Sequence, residues 1–421
     1  MVNRTPVIIS CDPGVDDIVA ILFALASPEL EILAYITSFG NTDVASSHQN
    51  ILKTYQAVSR HLEKFPEDAS RFPNFSSTAK PILARGSSGP LEGDLHSAQY
   101  FHGRLVTLHG LGEITQRHPD LNVVDDDSEH PQLTITDKSG SEVASELLRS
   151  HPSRTITYIA LGPLTDLAWL MSNDAALVRD RIGRIVCMGG ALDVPGNTSP
   201  VAEFNFFADP YAVKKLLVED TNTENPTLLP LDRFLMLPLD ITTIHELPFP
   251  HYKAKVDVSF ETSAIPSDKS KKSPLTRSIM LQFGKDAMEL HDIVAVWCAI
   301  ENPPVLDGHE DTLGAGWDAR SRIFDIERTG ELTRGFLVVD RRDDLSAYAP
   351  GANRAEVQAE LDKHISHHGA WESTAVPALV ETAHAPRELT VHPRGVKCVQ
   401  ATPGHAALLK LLTSRVWGVA P

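Results

Sequence analysis

At 421 residues the chain exceeds what a stable hydrophobic core requires, and it fits one large domain or two ordinary ones. Apolar residues make up 42% and charged residues 22%, close to globular averages, which disfavours disordered and fibrous classes. With 38 Lys and Arg against 55 Asp and Glu, the formal charge is −17; an acidic surface of this kind disfavours binding to nucleic acid, which runs on clustered Lys and Arg.

In chain order, the first apolar run is Val7-Ile8-Ile9, too short for the core of a secretory signal. Val7 to Cys11 is short, apolar and ended by Pro13-Gly14, the pattern of a fully buried strand. Ile18 to Ala26 is apolar nearly all round and predicts a buried helix. Glu31 to Thr37 predicts the next strand and Asp43 to Ser59 the next helix. Thr155 to Ala160 and Arg184 to Met188 are further strands, each followed by a Gly-containing turn and a helix. This alternation implies an α/β fold: an open, mostly parallel central sheet with helices on both faces, Rossmann-like in layout. In such folds ligands bind beyond the carboxyl ends of the strands, so chemistry is expected in the residues just after each strand.

Four polar stretches interrupt the rhythm, near 61–80 (Phe65 to Pro81, rich in Pro, Ser and charge), 113–141 (with Asp125-Asp126-Asp127), 219–230 and 263–273. Strand patterns resume after each, so they are expected to be surface insertions in a single domain spanning 1–421. The only dense basic cluster, Lys269, Lys271 and Lys272, lies in the last of them. Cys11, Cys187, Cys298 and Cys398 lie in or beside apolar runs with no CxxC pair, which reads as buried, reduced thiols. No apolar run reaches the roughly 18 residues of a membrane span, so no membrane association is expected.

The densest chemistry is Asp12-Pro13-Gly14-Val15-Asp16-Asp17. Asp12 ends a predicted strand and Asp17 opens a predicted helix, so three carboxylates converge across a tight turn. Like charges so close repel unless something offsets them. A hard cation with oxygen ligands, calcium or magnesium in preference to zinc, would do so. Helix capping by Asp accounts for one or two of these residues and not for three.

The segment resembles the D-P-G-x-D-D signature of the inosine–uridine-preferring nucleoside hydrolases, and further matches follow in order. Thr37-Ser38-Phe39-Gly40-Asn41 is similar to that family's G-N turn, and Leu161-Gly162-Pro163-Leu164-Thr165 to its G-P-L-T turn. Gly189-Gly190-Ala191, Gly196-Asn197-Thr198, Ala202-Glu203-Phe204-Asn205 and Asp209-Pro210 are similar to its longest signature. Glu289-Leu290-His291-Asp292 resembles its late His-Asp pair, and Gly330 to Gly335 with Val338-Val339-Asp340 its C-terminal strand pattern. The resemblance runs from about residue 6 to 416.

The resemblance implies the nucleoside hydrolase fold and calcium-dependent hydrolysis of the N-glycosidic bond of ribonucleosides to free base and ribose. It implies one Ca2+ per subunit, ligated by Asp12, Asp17, Asp292 and the backbone carbonyl of Leu161, where the family usually has Thr. Asp16, Asn41, Asn197, Glu203 and Asn205 are implied to hold the ribose hydroxyls. Asp12 is the implied general base on the attacking water, and His291 the implied proton source for the departing base. A homodimer or homotetramer, a cytoplasmic location and a part in purine and pyrimidine salvage are likewise implied. The chemistry suits these groups: cleaving the ribose C1′–N bond creates oxocarbenium character, which surrounding anionic and amide oxygens stabilise. Calcium acidifies water far less than zinc, so a base is still required.

Asp209-Pro210 on its own reads as a helix start, with Asp capping and Pro in the first turn. His102-Gly103 and His109-Gly110-Leu111-Gly112 stretch out a loop that the family usually keeps compact; either histidine could contact the base or be an ordinary loop residue. Ile293 stands where Pro often follows the His-Asp pair. A metal-dependent phosphohydrolase is the rival enzyme class, but the loops named above, Gly330 to Gly335 with its Arg334 apart, carry no Lys or Arg for a phosphate. A non-catalytic calcium-binding homologue is the non-enzyme rival, disfavoured because each implied ribose contact is a polar side chain of matching type. Base preference is not legible in these residues.

Overall fold

Two-residue periodicity with both faces apolar produces strands that must be covered on both sides, and this chain supplies the helices to do it. A computed structural model of the chain describes residues 4–98, 111, 114, 118–122, 130–218, 228–258, 287–305, 312–339 and 395–419. The expected loop histidines His102 and His109, the Lys269–Lys272 cluster, residues 219–227 and the whole of 263–273 lie outside these residues.

The strands are β1 (Thr5–Cys11), β2 (Leu30–Thr37), β3 (Ile82–Arg85), β4 (Thr134–Ser139), β5 (Ile156–Ala160), β6 (Ile182–Met188), β7 (Phe234–Leu237), β8 (Glu246–Pro248), β9 (Ala287–Glu289), β10 (Asp318–Arg322), β11 (Phe324–Ile326), β12 (Leu337–Val339) and β13 (Val396–Ala401). The helices used below are α1 (Val15–Leu25), α2 (Val44–Lys64), α3 (Gly140–Ser150), α4 (Thr165–Arg181), α5 (Phe204–Ala208), α6 (Pro210–Leu217), α7 (Leu239–Thr242), α8 (Phe249–Lys255), α9 (His291–Glu301) and α10 (His405–Trp417). Among the described residues nine strands form one sheet in the order β10-β13-β7-β6-β5-β1-β2-β3-β4. Its neighbours are parallel except for β10, which runs antiparallel to β13 at the edge. The expected α/β class, with its mostly parallel sheet, is what the chain adopts.

Alternation along β1 divides the core. Val7, Ile9 and Cys11 face a layer containing α1, α2, α9 and α10, whereas Ile8 faces a layer with α3, α4 and α6. Helix α1 buries every residue but Asp16, and each of its larger apolar side chains contributes about 1.5–3 kcal/mol by leaving water. Helix α9, buried from His291 to Ile300, packs against α1.

Strand order decides where a ligand can sit. The chain builds outward on one side through β2, β3 and β4, then returns to lay β5 on the other side of β1. The crossovers leaving β1 and β5 therefore diverge, opening a crevice beyond their carboxyl ends. Asp12 follows β1 there, and Leu161 follows β5.

Some elements differ from expectation. Helix α1 begins three residues before Ile18, because Asp16 and Asp17 make its first turn polar and hide the apolar period. The stretch 113–141, expected to be an insertion, contains the edge strand β4, which pairs with β3 through Ile82 and Thr134. As an edge strand it is largely solvated, so its sequence carries no apolar alternation. The stretch near 61–80 is only partly superficial: Phe72 is buried, and buried Asn74 donates to the carbonyls of Ala24 (2.9 Å) and Ser27 (2.7 Å) at the end of α1.

Candidate functional site

The site grows from the first turns of two buried helices. Asp16 and Asp17 lie in the first turn of α1 and Asp292 in the first turn of α9. Packing α1 on α9 brings the three together: each offers a carboxylate oxygen within 4.8 Å of the others. Unpaired N–H groups and the positive end of each helix dipole favour anions at such termini. Asp17 also caps its own helix, its Oδ2 accepting from the Gly14 N–H (3.0 Å) and from Asn41 Nδ2 (3.1 Å). Its Oδ1 accepts a longer bond from the Asp12 N–H (3.3 Å). Capping thus applies to Asp17, and it leaves the other carboxylates unexplained.

Asp12 stands beside this trio in the crevice. Its Oδ2 accepts from the Asn41 N–H (2.7 Å), while Oδ1 is buried with no hydrogen-bond partner among the described residues. Main chain closes on the carboxylate from two sides. A Cβ at Gly40 would come within 2.0 Å of Oδ2, and one at Gly162 within 2.6 Å of Oδ1. Gly40 has φ +150°, a conformation that side-chain-bearing residues rarely adopt.

Burial and mutual repulsion dominate the electrostatics of these carboxylates. Burial, then the charge of Asp17, raises the Asp12 carboxyl well above its usual range. Burial, then Asp16, pushes Asp17 up to about 7. Asp292 is raised by burial and by Asp16, Asp17 and Asp12 together. Asp16, half-buried at the mouth, is raised by burial and lowered by nearby His291. Clustered carboxylates cannot all ionise in a dry site without a counterion. Oxygen-only donors with one buried orphan atom suit a hard divalent cation, so this cluster could hold a metal ion.

Around it the other expected residues take definite places. Leu161 donates its N–H to the Ser10 carbonyl (2.8 Å), and its own carbonyl accepts from Asn205 Nδ2 (2.6 Å). Asn205 Nδ2 also reaches the Met188 carbonyl (3.3 Å), tying the ends of β5 and β6. Glu203 is the N-cap of α5 and 2% exposed, its carboxylate accepting from the N–H groups of Gly190 (2.8 Å), Asn205 (2.7 Å) and Phe206 (3.1 Å). Both Asn205 and Glu203 are buried. Asn197 is exposed, and its Oδ1 accepts from the Phe204 N–H (2.9 Å), fixing the loop onto α5.

His291 is buried against the acidic site. Nδ1 pairs with Thr242 Oγ1 (2.8 Å) and Nε2 with Glu289 Oε2 (3.3 Å). Burial lowers its basicity, but Glu289, Asp16 and Glu203 outweigh this and raise it above the ordinary histidine value. Thr242 and Glu289 are the partners that sequence reading missed. Glu289 lies two residues before His291 and could have been suspected from spacing, whereas Thr242 lies on α7 with no local signal. Asp209, as its Asp-Pro pattern predicts, caps α6 through the Ala212 N–H (3.0 Å), and it also accepts from Thr165 Oγ1 (2.6 Å). All four cysteines are buried and free, and no described helix is long and apolar enough to cross a membrane.

Comparison with known proteins points one way. Residues 7–367 match the family described as inosine-uridine preferring nucleoside hydrolase. The chain is 34% identical over 206 residues to Uridine nucleosidase 1 of Arabidopsis thaliana, covering 49% of this chain and 51% of that protein. It is 32% identical over 226 residues to the Inosine-uridine preferring nucleoside hydrolase of Leishmania major, covering 54% of this chain and 60% of that protein. The matched part thus spans between half and two thirds of these relatives. Among solved structures, the plant nucleoside hydrolase PpNRh1 shares the fold, with a TM-score of 0.62 at 20% identity over 99% of this chain and 100% of that one.

Proposed function

This chain belongs to the inosine-uridine preferring nucleoside hydrolase family, and we propose that it hydrolyses the N-glycosidic bond of ribonucleosides, releasing free base and ribose. The observation that carries the reading is the convergence of Asp16, Asp17 and Asp292, with Asp12 alongside and its N–H bonded to Asp17, at the crevice between the β1 and β5 crossovers. We assign calcium to Asp12, Asp17, Asp292 and the Leu161 carbonyl. The orphaned Asp12 Oδ1 and the all-oxygen donor set support that choice over a softer metal. Asp16 shares the trio yet is less completely buried than Asp17 and Asp292, a placement suited to meeting both the cation and a ribose hydroxyl. When bound, calcium would hold water and sugar hydroxyls in register and offset the clustered negative charge.

The protein's own groups do the rest. Asp12, made more basic by burial and by the charge of Asp17 despite the Asn41 N–H on its Oδ2, takes the proton from the attacking water. Asp16, Asn41, Glu203 and Asn205 surround the ribose with oxygen atoms that stabilise its developing positive charge. Asn197, tied to α5 through Phe204, closes the sugar end. His291, kept protonated toward neutral pH by Glu289, Asp16 and Glu203, donates to the departing base. Thr242 on Nδ1 fixes the ring, and Nε2, with the longer contact, is the nitrogen that meets the base.

The test is chromatography of uridine, cytidine, inosine, adenosine and guanosine incubated with the protein, with and without chelator. Release of base and ribose, stopped by chelator and restored by calcium, is expected. Intact nucleosides throughout would refute the reaction, and hydrolysis indifferent to chelator would refute the metal.

A further inference from the structure

We propose that Asp166 is a positioning residue for this reaction, acting through Ser87 on the turn that aims Asp12 and Asn41. The proposal rests on the roles given to those two residues above.

Asp166 is the second residue of α4 and is 4% exposed. Its Oδ1 accepts two hydrogen bonds from one residue, the Ser87 N–H and Ser87 Oγ, both at 2.8 Å. Its Oδ2 is buried with no hydrogen-bond partner among the described residues. Leaving such an atom unsatisfied is unfavourable, so stability alone does not account for a carboxylate here.

What it gains is a grip on the site's floor. Ser87 follows β3 just beyond its carboxyl end, and its carbonyl accepts from the Phe39 N–H (3.0 Å). One residue earlier, the Gly86 N–H donates to the Thr37 carbonyl (2.7 Å), so the segment after β3 is bonded along the segment after β2. Directly beyond Phe39 comes Gly40, whose N–H donates to the Thr42 carbonyl (3.0 Å) and whose backbone packs on Asp12. Asn41 then donates its N–H to Asp12 Oδ2 and its side-chain amide to Asp17. An unbroken series of contacts therefore runs from Asp166 to the proposed base. Asp166 is also only four residues past Gly162, which packs on the other oxygen of Asp12. It thus couples both walls of that carboxylate, the turn after β2 and the turn after β5. Catalytic groups need such support, because small displacements of a reacting group cost large factors in rate.

The experiment compares wild type, Asp166→Ala, Asp166→Asn and Ser87→Ala by steady-state kinetics per folded molecule and by hydrogen exchange of residues 38–42. In Asp166→Ala, kcat should fall about tenfold with KM changed less than about threefold, inside the roughly 10²-fold cost of a 1 Å misplacement, and exchange at 38–42 should accelerate. Asp166→Asn keeps an amide oxygen able to accept both Ser87 bonds, and should recover most of the kcat. A merely structural role would lower Tm and leave kcat and exchange at 38–42 unchanged; that result, or an Asn variant as impaired as the Ala variant, overturns the proposal. Should Asp166→Ala fail to fold, Ser87→Ala loses only the hydroxyl bond: faster exchange at 38–42 supports the relay and unchanged exchange overturns it. If wild type releases no base from any nucleoside, the proposed function has failed, while the exchange comparison still decides the relay.

Discussion

Calcium should stabilise this protein in a pH-dependent way, and the size of the effect follows from the acidic cage. Without a cation, Asp17 has its pKa raised from 3.8 to about 7 by burial and by Asp16. A group whose folded-state pKa lies above its unfolded value favours folding fully below the unfolded value. That contribution is lost as pH rises through the folded one, here between about 4 and 7. The loss from this residue is on the order of 4 kcal/mol, at 1.36 kcal/mol for each unit of pKa. A divalent cation would supply a countercharge, so calcium should matter most where the proton is gone.

At a free concentration about 100 times its dissociation constant, a ligand stabilises by about 2.7 kcal/mol. An unfolding entropy of roughly 2.1 cal/mol/K per residue gives about 0.9 kcal/mol/K for 421 residues, and hence a rise in Tm of about 3 °C at pH 8. At pH 5.5 calcium must displace the Asp17 proton, which alone weakens binding about thirtyfold and leaves a rise of at most about 1 °C at the same concentration. Scanning calorimetry at both pH values, in calcium and in chelator, measures the two differences. Equal shifts at pH 5.5 and 8, or none at either, would refute the reasoning.

Other outcomes are expected from single substitutions. Asp12→Ala should keep the far-ultraviolet circular dichroism of the wild type while kcat falls at least about 10²-fold, as loss of a general base does; near-normal turnover would contradict the assignment. His291→Ala should slow nucleosides with poor leaving groups far more than p-nitrophenyl riboside, which departs without a proton, and equal losses on both would argue against proton donation. Gly40→Ala places a Cβ against Asp12 Oδ2 in a conformation that costs about 1–3 kcal/mol, so Tm should drop by about 1–3 °C and kcat should fall with it. A Gly40→Ala enzyme with unchanged kcat would show that this contact does not orient Asp12.

Much of the molecule was legible before any coordinates. The apolar runs at Val7 to Cys11 and Glu31 to Thr37 lie where strands form, because a strand buried on both faces needs continuous apolar sequence. Asp12, Asp16 and Asp17 could be read as one site because a tight turn keeps them together whatever the rest of the chain does. Likewise Asp209-Pro210 identified a helix start, since capping is settled within one turn.

Other features depend on distant partners and left no local trace. Edge strand β4 is solvated, so no alternation marked it. Thr242 meets the His291 ring only because α7 follows β7 to the same end of the sheet. Glu203 resembles a loop acid in sequence but is an interior one in the fold, held by three backbone N–H groups. The return of the chain to the far side of β1 decided that the crevice lies at Asp12, and the packing of α9 on α1 brought Asp292 to Asp16 and Asp17. Local periodicity and turn chemistry are written residue by residue, so the sequence by itself determined the elements and the first acidic turn. Strand order and helix docking are settled by the burial of whole faces against one another, so only the tertiary structure decided which remote side chains complete the site.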